Sequence, residues 1–220
     1  MIDLHTHSLL SDGQYLPDEL VRRCEIQGYS RLVITDHIGF SNAETVIPQI
    51  VRMCRALRGK SPVRVKPGAE ITHVPPELIA RAVSLARKAG ADIVLGHGET
   101  LVEPIAPGTN RAFIEAGVDV LAHPGLIARE DAELAARKGV ALEISARRGH
   151  SLTNGHVCIA ARTTGAKLVF GSDGHGPGEY PTRALAERIA LGAGLTPDEV
   201  TALFVNAERI FDRRRRRGRR

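Results

Sequence analysis

The sequence predicts a parallel α/β barrel of seven strand–helix units. Three observations carry that expectation. Short runs rich in Val, Ile and Leu, "MIDL", "RLVI", "VRVK", "DIVL", "VDVL", "ALEI" and "KLVF", recur along the 220 residues. Such runs suit strands buried on both faces of a parallel sheet better than half-exposed ones. Each is followed by a polar cluster and then an amphipathic stretch, the strand–helix alternation of parallel folds. Neither GxGxxG after the first run nor a GxxxxGK[ST] loop occurs, which removes support from an open nucleotide-binding sheet.

The helices follow in order: "PDELVRRCEIQG", "AETVIPQIVRMCRALRG", "PPELIARAVSLARKAG", "NRAFIEAG", "REDAELAARKG", "TNGHVCIAARTTG" and "PTRALAERIALGAG". Several open on Pro or an N-cap residue and close on Gly, the usual punctuation of helix ends. A last helix, "TPDEVTALFVNAERIF", completes the body. No linker or break in composition interrupts residues 1–212, so one barrel domain is expected there, with 43% hydrophobic residues to fill its core.

Residues 213–220, "RRRRRGRR", form an arginine-rich tail that is expected to be disordered. Removing its seven arginines turns the formal charge of +5 into −2. The basicity is therefore terminal, and through it nucleic acid is a possible partner. No apolar run approaches the roughly 18 residues of a membrane span, and no secretory leader opens the chain. Cys24, Cys54 and Cys158 make no CxxC pair and read as buried thiols in helices. A cytoplasmic location is expected.

The polar clusters behind the runs are "HTHS", "TDH", "GAE", "GHGE", "AHPG", "SARRGH" and "SDGH". In a β/α barrel the strand C-termini converge on one rim, where such folds carry their chemistry. A lone histidine after a strand has an ordinary structural explanation. Here imidazoles and carboxylates recur at the same place in successive units. His5, His7, Asp12, His37, Glu70, His97, His123, Asp173 and His175 make nine candidate donors. At three or four ligands per catalytic ion, nine donors call for two or three divalent ions. The histidine-rich set favours transition metals such as Mn, Fe or Zn. His5 and His7 point the same way on an extended segment, because side chains alternate with a period of two.

The motifs "DLHTHSLLSDG", "ITDH", "GAE", "GHGE", "AHPG" and "GSDGH" resemble, in content and order, those of the PHP (polymerase and histidinol phosphatase) metallo-hydrolases. The short length is similar to a compact histidinol-phosphatase-like subfamily. The resemblance implies a distorted seven-unit TIM-like barrel with up to three metals. It implies that His5, His7, Glu70 and Asp173 hold one ion and that Glu70 bridges to a second, bound by His97 and His123. Asp12, His37 and His175 would hold the third. Glu70, Asp173 and His175 are the expected catalytic residues.

The expected reaction is hydrolysis of a phosphomonoester, histidinol phosphate or another small phosphorylated metabolite, by a metal-bridged hydroxide. Arg147, Arg148, His150 and Arg183 are candidates for gripping the phosphate, because guanidinium matches its geometry. Glu99 is a candidate acid or acceptor for an imidazole N–H, and His73 a rim residue. Asn154 and His156 read rather as helix-start residues. The alternative reaction is phosphodiester cleavage of nucleotides or short oligonucleotides. An amidohydrolase barrel also opens on HxH, but Glu70 and "SDGH" fit the PHP pattern better. A non-catalytic metal module fits poorly with a full donor set.

Overall fold

The computed structural model describes residues 1–213. The arginine tail from residue 214 onward lies outside them. Within them the strands are β1 (Ile2–Asp3), β2 (Arg31–Ile34), β3 (His37–Ile38), β4 (Arg64–Ile71), β5 (Ile93–His97), β6 (Val120–Ala122), β7 (Ala141–Ser145) and β8 (Leu168–Gly171). The helices are α1 (Pro17–Ile26), α2 (Ala43–Leu57), α3 (Ile79–Ala89), α4 (Thr109–Ala116), α5 (Arg129–Lys138), α6 (Asn154–Thr164), α7 (Arg183–Gly192) and α8 (Pro197–Asp212). None is long and apolar enough to cross a membrane.

All strand pairings are parallel, in the order β1-β2-β4-β5-β6-β7-β8. β3 continues β2 along the same neighbour: Ile34 pairs with Pro67 and His37 with Glu70, three residues further on both chains. Seven strand positions therefore form the wall, as the sequence predicts. The wall closes at its C-terminal end, where Thr6 bridges Gly174. There the Asp173 amide donates to the His5 carbonyl at 3.0 Å, and the His7 amide to the Gly174 carbonyl at 3.0 Å. Nearer the N-terminal end of β8, the Leu168 carbonyl accepts from the Asn206 side chain of α8 at 3.0 Å. A helix residue thus takes a strand carbonyl beside the short β1, and the barrel is distorted rather than evenly closed.

The strands are buried on both faces, with Leu32, Val33, Ile34, Val94, Leu95, Leu121, Leu142 and Ile144 all at 0% exposure. Helix ends follow the expected chemistry. Thr196 and Glu199 form a reciprocal capping box at the start of α8, with Pro197 as its first residue. A Cβ on Gly96 would fall 2.3 Å from the Phe113 ring. Only glycine lets α4 approach β5 that closely. Cys24, Cys54 and Cys158 are free and buried on helices. One difference from the sequence reading matters for the site. β4 runs past "VRVK" to Ile71, so Glu70 lies within a strand and not in a loop.

Candidate metal centre

The nine donors meet at the C-terminal end of the barrel. Thr6 is turned away from them: its hydroxyl donates to the Val33 carbonyl at 2.8 Å and its amide to the Thr35 hydroxyl at 3.1 Å. Alternation then sends His5 and His7 to the other side, with ring centroids 5.0 Å apart. Glu70 is the hub. Its Oε2 lies 2.9 Å from His37 Nδ1, 3.4 Å from His5 Nε2 and 3.6 Å from His7 Nε2. Its Oε1 turns the other way, 3.2 Å from His123 Nε2. Asp173 Oδ1 lies 3.2 Å from His7 Nε2 and 3.5 Å from His5 Nε2. Asp12 Oδ1 lies 3.2 Å from His175 Nε2 and 3.5 Å from His37 Nε2.

Among the described residues four overlapping sets each bring their donor atoms within 4.8 Å of one another: His7, Asp12, His37 and His175; His97, His123 and His150; His5, His123 and Asp173; and His5, His7 and Glu70. His123 and Asp173 adopt positive φ angles of 27° and 51°. Non-glycine residues hold such angles only where the surroundings enforce them, and functional sites are where they gather.

Buried atoms at the centre test whether ions fit. His5 Nε2, both ring nitrogens of His7, both oxygens of Glu70 and His175 Nε2 find no hydrogen-bond partner among the described residues. A buried polar atom without a partner costs about 1–3 kcal/mol, and here the atoms face each other across a common space. Cations held between them would satisfy them together, and imidazole with carboxylate is a donor set for Mn, Fe or Zn. The residues fit the group.

The electrostatics follow from burial and charge. Desolvation pulls the His7 imidazole down to about 3, so it is neutral and one ring nitrogen keeps a free lone pair. Burial also pulls His37 down, but Glu70 and Asp12 outweigh it and push it up to about 10. Burial opposes the charge on Glu70 and on Asp173, yet the surrounding histidines, His5 foremost, hold both carboxyls below the usual range.

The orienting groups include residues that sequence reasoning missed. Glu143 on β7 accepts from His5 Nδ1 at 2.7 Å and from the His123 amide at 3.0 Å. Asp3 accepts from the amides of His5 and Ser172, and burial raises its carboxyl to about 6. Both were visible as carboxylates inside apolar runs, "ALEI" and "MIDL", where a charge needs a reason. Asp36 accepts from Ser8 and Ser11 and so holds the turn after His7. Glu103 was missed too. Its Oε2 lies 3.1 Å from His97 Nε2, and only its loop position after β5 could have flagged it.

The substrate candidates divide. Arg147 and His150 line a cavity of about 440 Å³ that opens beside the centre, and His73 lines it as well. Arg148 is exposed and faces a different depression, with Leu185 and Ile189. Arg183, expected at the rim, is placed elsewhere: its guanidinium sits 3.5 Å above the Phe204 ring and bonds Glu187 at 2.7 Å. Glu99 is also corrected. Its carboxylate accepts from the Asn110 amide at 2.9 Å, tying down the start of α4, while His97 Nδ1 faces the Gly98 carbonyl. Asn154 and His156 lie in the first turn of α6, as read from the sequence, and their side chains bond backbone groups of Ser145 and Ile127.

A parallel barrel with imidazole and carboxylate donors clustered on its C-terminal rim fits a metal-dependent hydrolase. The chain belongs to the PHP domain family, whose domain matches residues 3–97. It is 41% identical over 200 residues to the uncharacterized protein MJ1295 of Methanocaldococcus jannaschii, covering 90% of this chain and 92% of that one. Among solved structures it superposes on a chain of archaeal ribonuclease P with mature tRNA at a TM-score of 0.69 and 18% identity, covering 96% of this chain and 90% of that one. It also matches the metal-dependent tyrosine phosphatases YwqE of Bacillus subtilis and CpsB of Streptococcus pneumoniae, at 0.59 and 17%, covering 96% and 94%. At these identities the structural likeness is one of fold.

Proposed function

We propose that the chain hydrolyses phosphomonoesters of small metabolites, with histidinol phosphate as the first candidate. The carrying observation is the convergence of nine donors, several with buried unbonded atoms, beside a 440 Å³ cavity walled by Arg147. Two or three divalent transition ions, Mn, Fe or Zn, would be held by His5, His7, Asp12, His37, Glu70, His97, His123, Asp173 and His175. When bound, such ions neutralise phosphate oxygens and acidify water near neutral pH. Glu70, Asp173 and His175 are the proposed catalytic residues of that set.

Arg147 is the proposed phosphate grip. Its Nη1 lies 2.5 Å from His175 Nδ1 and 3.0 Å from the Asp173 carbonyl oxygen. That same carbonyl lies 2.9 Å from His175 Nδ1. A neutral imidazole that gives its Nε2 lone pair to an ion carries its proton on Nδ1. His175 Nδ1 then donates to the Asp173 carbonyl and no longer accepts from Arg147. Arg147, held at the cavity wall by the Asp173 carbonyl, would then have its guanidinium available to pair with phosphate.

The test is phosphate release from L-histidinol phosphate by Mn²⁺-loaded protein, with Asp173→Ala as control. Release that disappears in the variant supports the monoester reading. Metal bound without release rejects that substrate and favours nucleotides or short oligonucleotides, the phosphodiesterase alternative. In that case the arginine tail is the expected contact to nucleic acid, and its truncation should weaken oligonucleotide cleavage alone. The buried free thiols suit a reducing cytoplasm.

A further inference from the structure

The nine donors do not exhaust the ligating groups at the centre. His150 and Glu103 come from two loops, after β7 and after β5; His150 joins the set formed by His97 and His123, and Glu103 reaches His97 and His150. Glu103 Oε2 lies 3.1 Å from His97 Nε2, and its Oε1 lies 3.4 Å from His150 Nε2. The rings of His123 and His150 stack at 4.1 Å with an interplanar angle of 17°. The donor atoms of His97, His123 and His150 all come within 4.8 Å of one another.

We propose that His150 and Glu103 are ligands of the second ion. They raise its donors from Glu70, His97 and His123 to five. The proposal rests on the metal centre described above and extends it.

Three features support it. First, donor spacing matches bond lengths. Ligands about 2.0–2.1 Å from one ion stand roughly 2.9–3.6 Å apart in four- or five-coordinate geometry, and the Glu103 contacts fall within that interval. Second, His150 is held like a ligand. It is 4% exposed, and its Nδ1 pairs with the Thr100 hydroxyl at 2.6 Å, leaving Nε2 turned toward the cluster. Metal-bound imidazoles characteristically have the other nitrogen fixed in this way. Third, the two loops are built against each other. Gly149 holds a φ of 90°, and a Cβ there would press to 3.2 Å from Val102. Glycine at 149 therefore sets His150 beside the loop that carries Thr100 and Glu103. An imidazole committed to an ion is unavailable to grip phosphate, so His150 moves from the substrate set to the metal set and the grip falls to Arg147.

The test titrates metal-free protein with Zn²⁺ against a competing chelator, counts bound metal, and records the visible absorption of the Co²⁺-loaded form. Wild type is compared with His150→Ala, Glu103→Gln and, as a control at an exposed site, Arg148→Ala. The first two variants should each weaken one equivalent by about tenfold or more, since even groups that only orient a ligand are worth about 10–100-fold in affinity. The remaining equivalents should be unchanged, and the Co²⁺ bands of the affected equivalent should shift. Thr100→Val should weaken the same equivalent less. Glu103 is one-third exposed, so its glutamine variant keeps the test open where His150→Ala fails to fold. Unchanged affinities and unchanged Co²⁺ bands in folded His150→Ala and Glu103→Gln would overturn the proposal and return His150 to the substrate, with a raised KM. A wild-type protein that binds no ions would overturn the metal centre itself, and this extension with it.

Discussion

Asp119 just before β6 and Glu70 near the head of β4 are both buried carboxylates of the barrel, and their surroundings differ in kind. Asp119 accepts from Arg87 at 2.5 Å and from the Val94 amide at 2.9 Å, and Arg213 lies 3.6 Å away. Arg87 also donates to the Asp92 carbonyl at 3.0 Å. The charge is matched by a fixed cation and a backbone donor. Glu70 at the other end faces imidazoles at 2.9–3.6 Å, and neither of its oxygens has a hydrogen-bond partner among the described residues. At the N-terminal end the charge of Asp119 is matched by groups of the chain itself. At the C-terminal end the partners of Glu70 are imidazoles, whose protons a cation could replace. Burial alone therefore does not mark function; incompleteness of a buried charge does.

Two substitutions should separate the ends. Glu70→Gln should abolish ion binding at the shared position and lower the proposed phosphatase activity by about 10³-fold or more, since ions supply several kcal/mol of transition-state stabilisation. Metal analysis beside the activity assay checks it. Asp119→Asn should do the reverse. Removing one partner of a buried pair costs about 3–5 kcal/mol, read as a lower denaturation midpoint, while metal content stays at the wild-type level. Loss of metal in Asp119→Asn, or full metal retention in Glu70→Gln, would break the contrast between the two ends.

The sequence made the upper end legible and the lower end almost invisible. His5, His7, Glu70, His97, His123 and Asp173 were readable because strand ends recur and each carried a metal-type donor. Arg87 and Asp119 sit in ordinary helix and strand-start positions, and nothing local announces that they meet. The same limit explains the errors at the rim. Arg183 lies only a few residues after "SDGH", but α7 begins there and turns it onto Phe204 of α8. Glu99 stands two residues after His97, where a continuing strand would turn both the same way, but β5 ends at His97 and the carboxylate of Glu99 goes to α4. Distance along the chain identified candidates, and side-chain direction decided between them.

Glu143 sharpens the contrast from inside the site. It is buried like Asp119, but it orients His5 instead of closing a charge pair. Glu143→Gln keeps the volume and weakens the bond to His5 Nδ1. Metal affinity should fall by about 10–100-fold, the usual cost of removing an orienting partner of a ligand. Chelator competition measures it. A drop in thermal stability with unchanged affinity would class Glu143 with Asp119.

Proton linkage gives the smallest effect and a sign that differs between metal-free and metal-loaded protein. His37 has its imidazole pushed up to about 10 from an ordinary 6.5; burial works against that rise, and Glu70 and Asp12 overcome it. In metal-free protein the raised value stabilises the fold fully below about pH 6.5, and that contribution is lost as pH climbs through about 10. An ion needs the lone pair that the proton occupies. Binding therefore expels the proton, and affinity should rise about tenfold per pH unit between 7 and 9 before flattening near 10. Melting the metal-free protein across this range, alongside Zn²⁺ titrations at the same pH values, tests both signs. The Asp119–Arg87 pair has no share in the exchange, so the pH dependence of metal affinity should persist unchanged in Asp119→Asn. A flattened slope in that variant would mean that the two ends of the barrel are coupled.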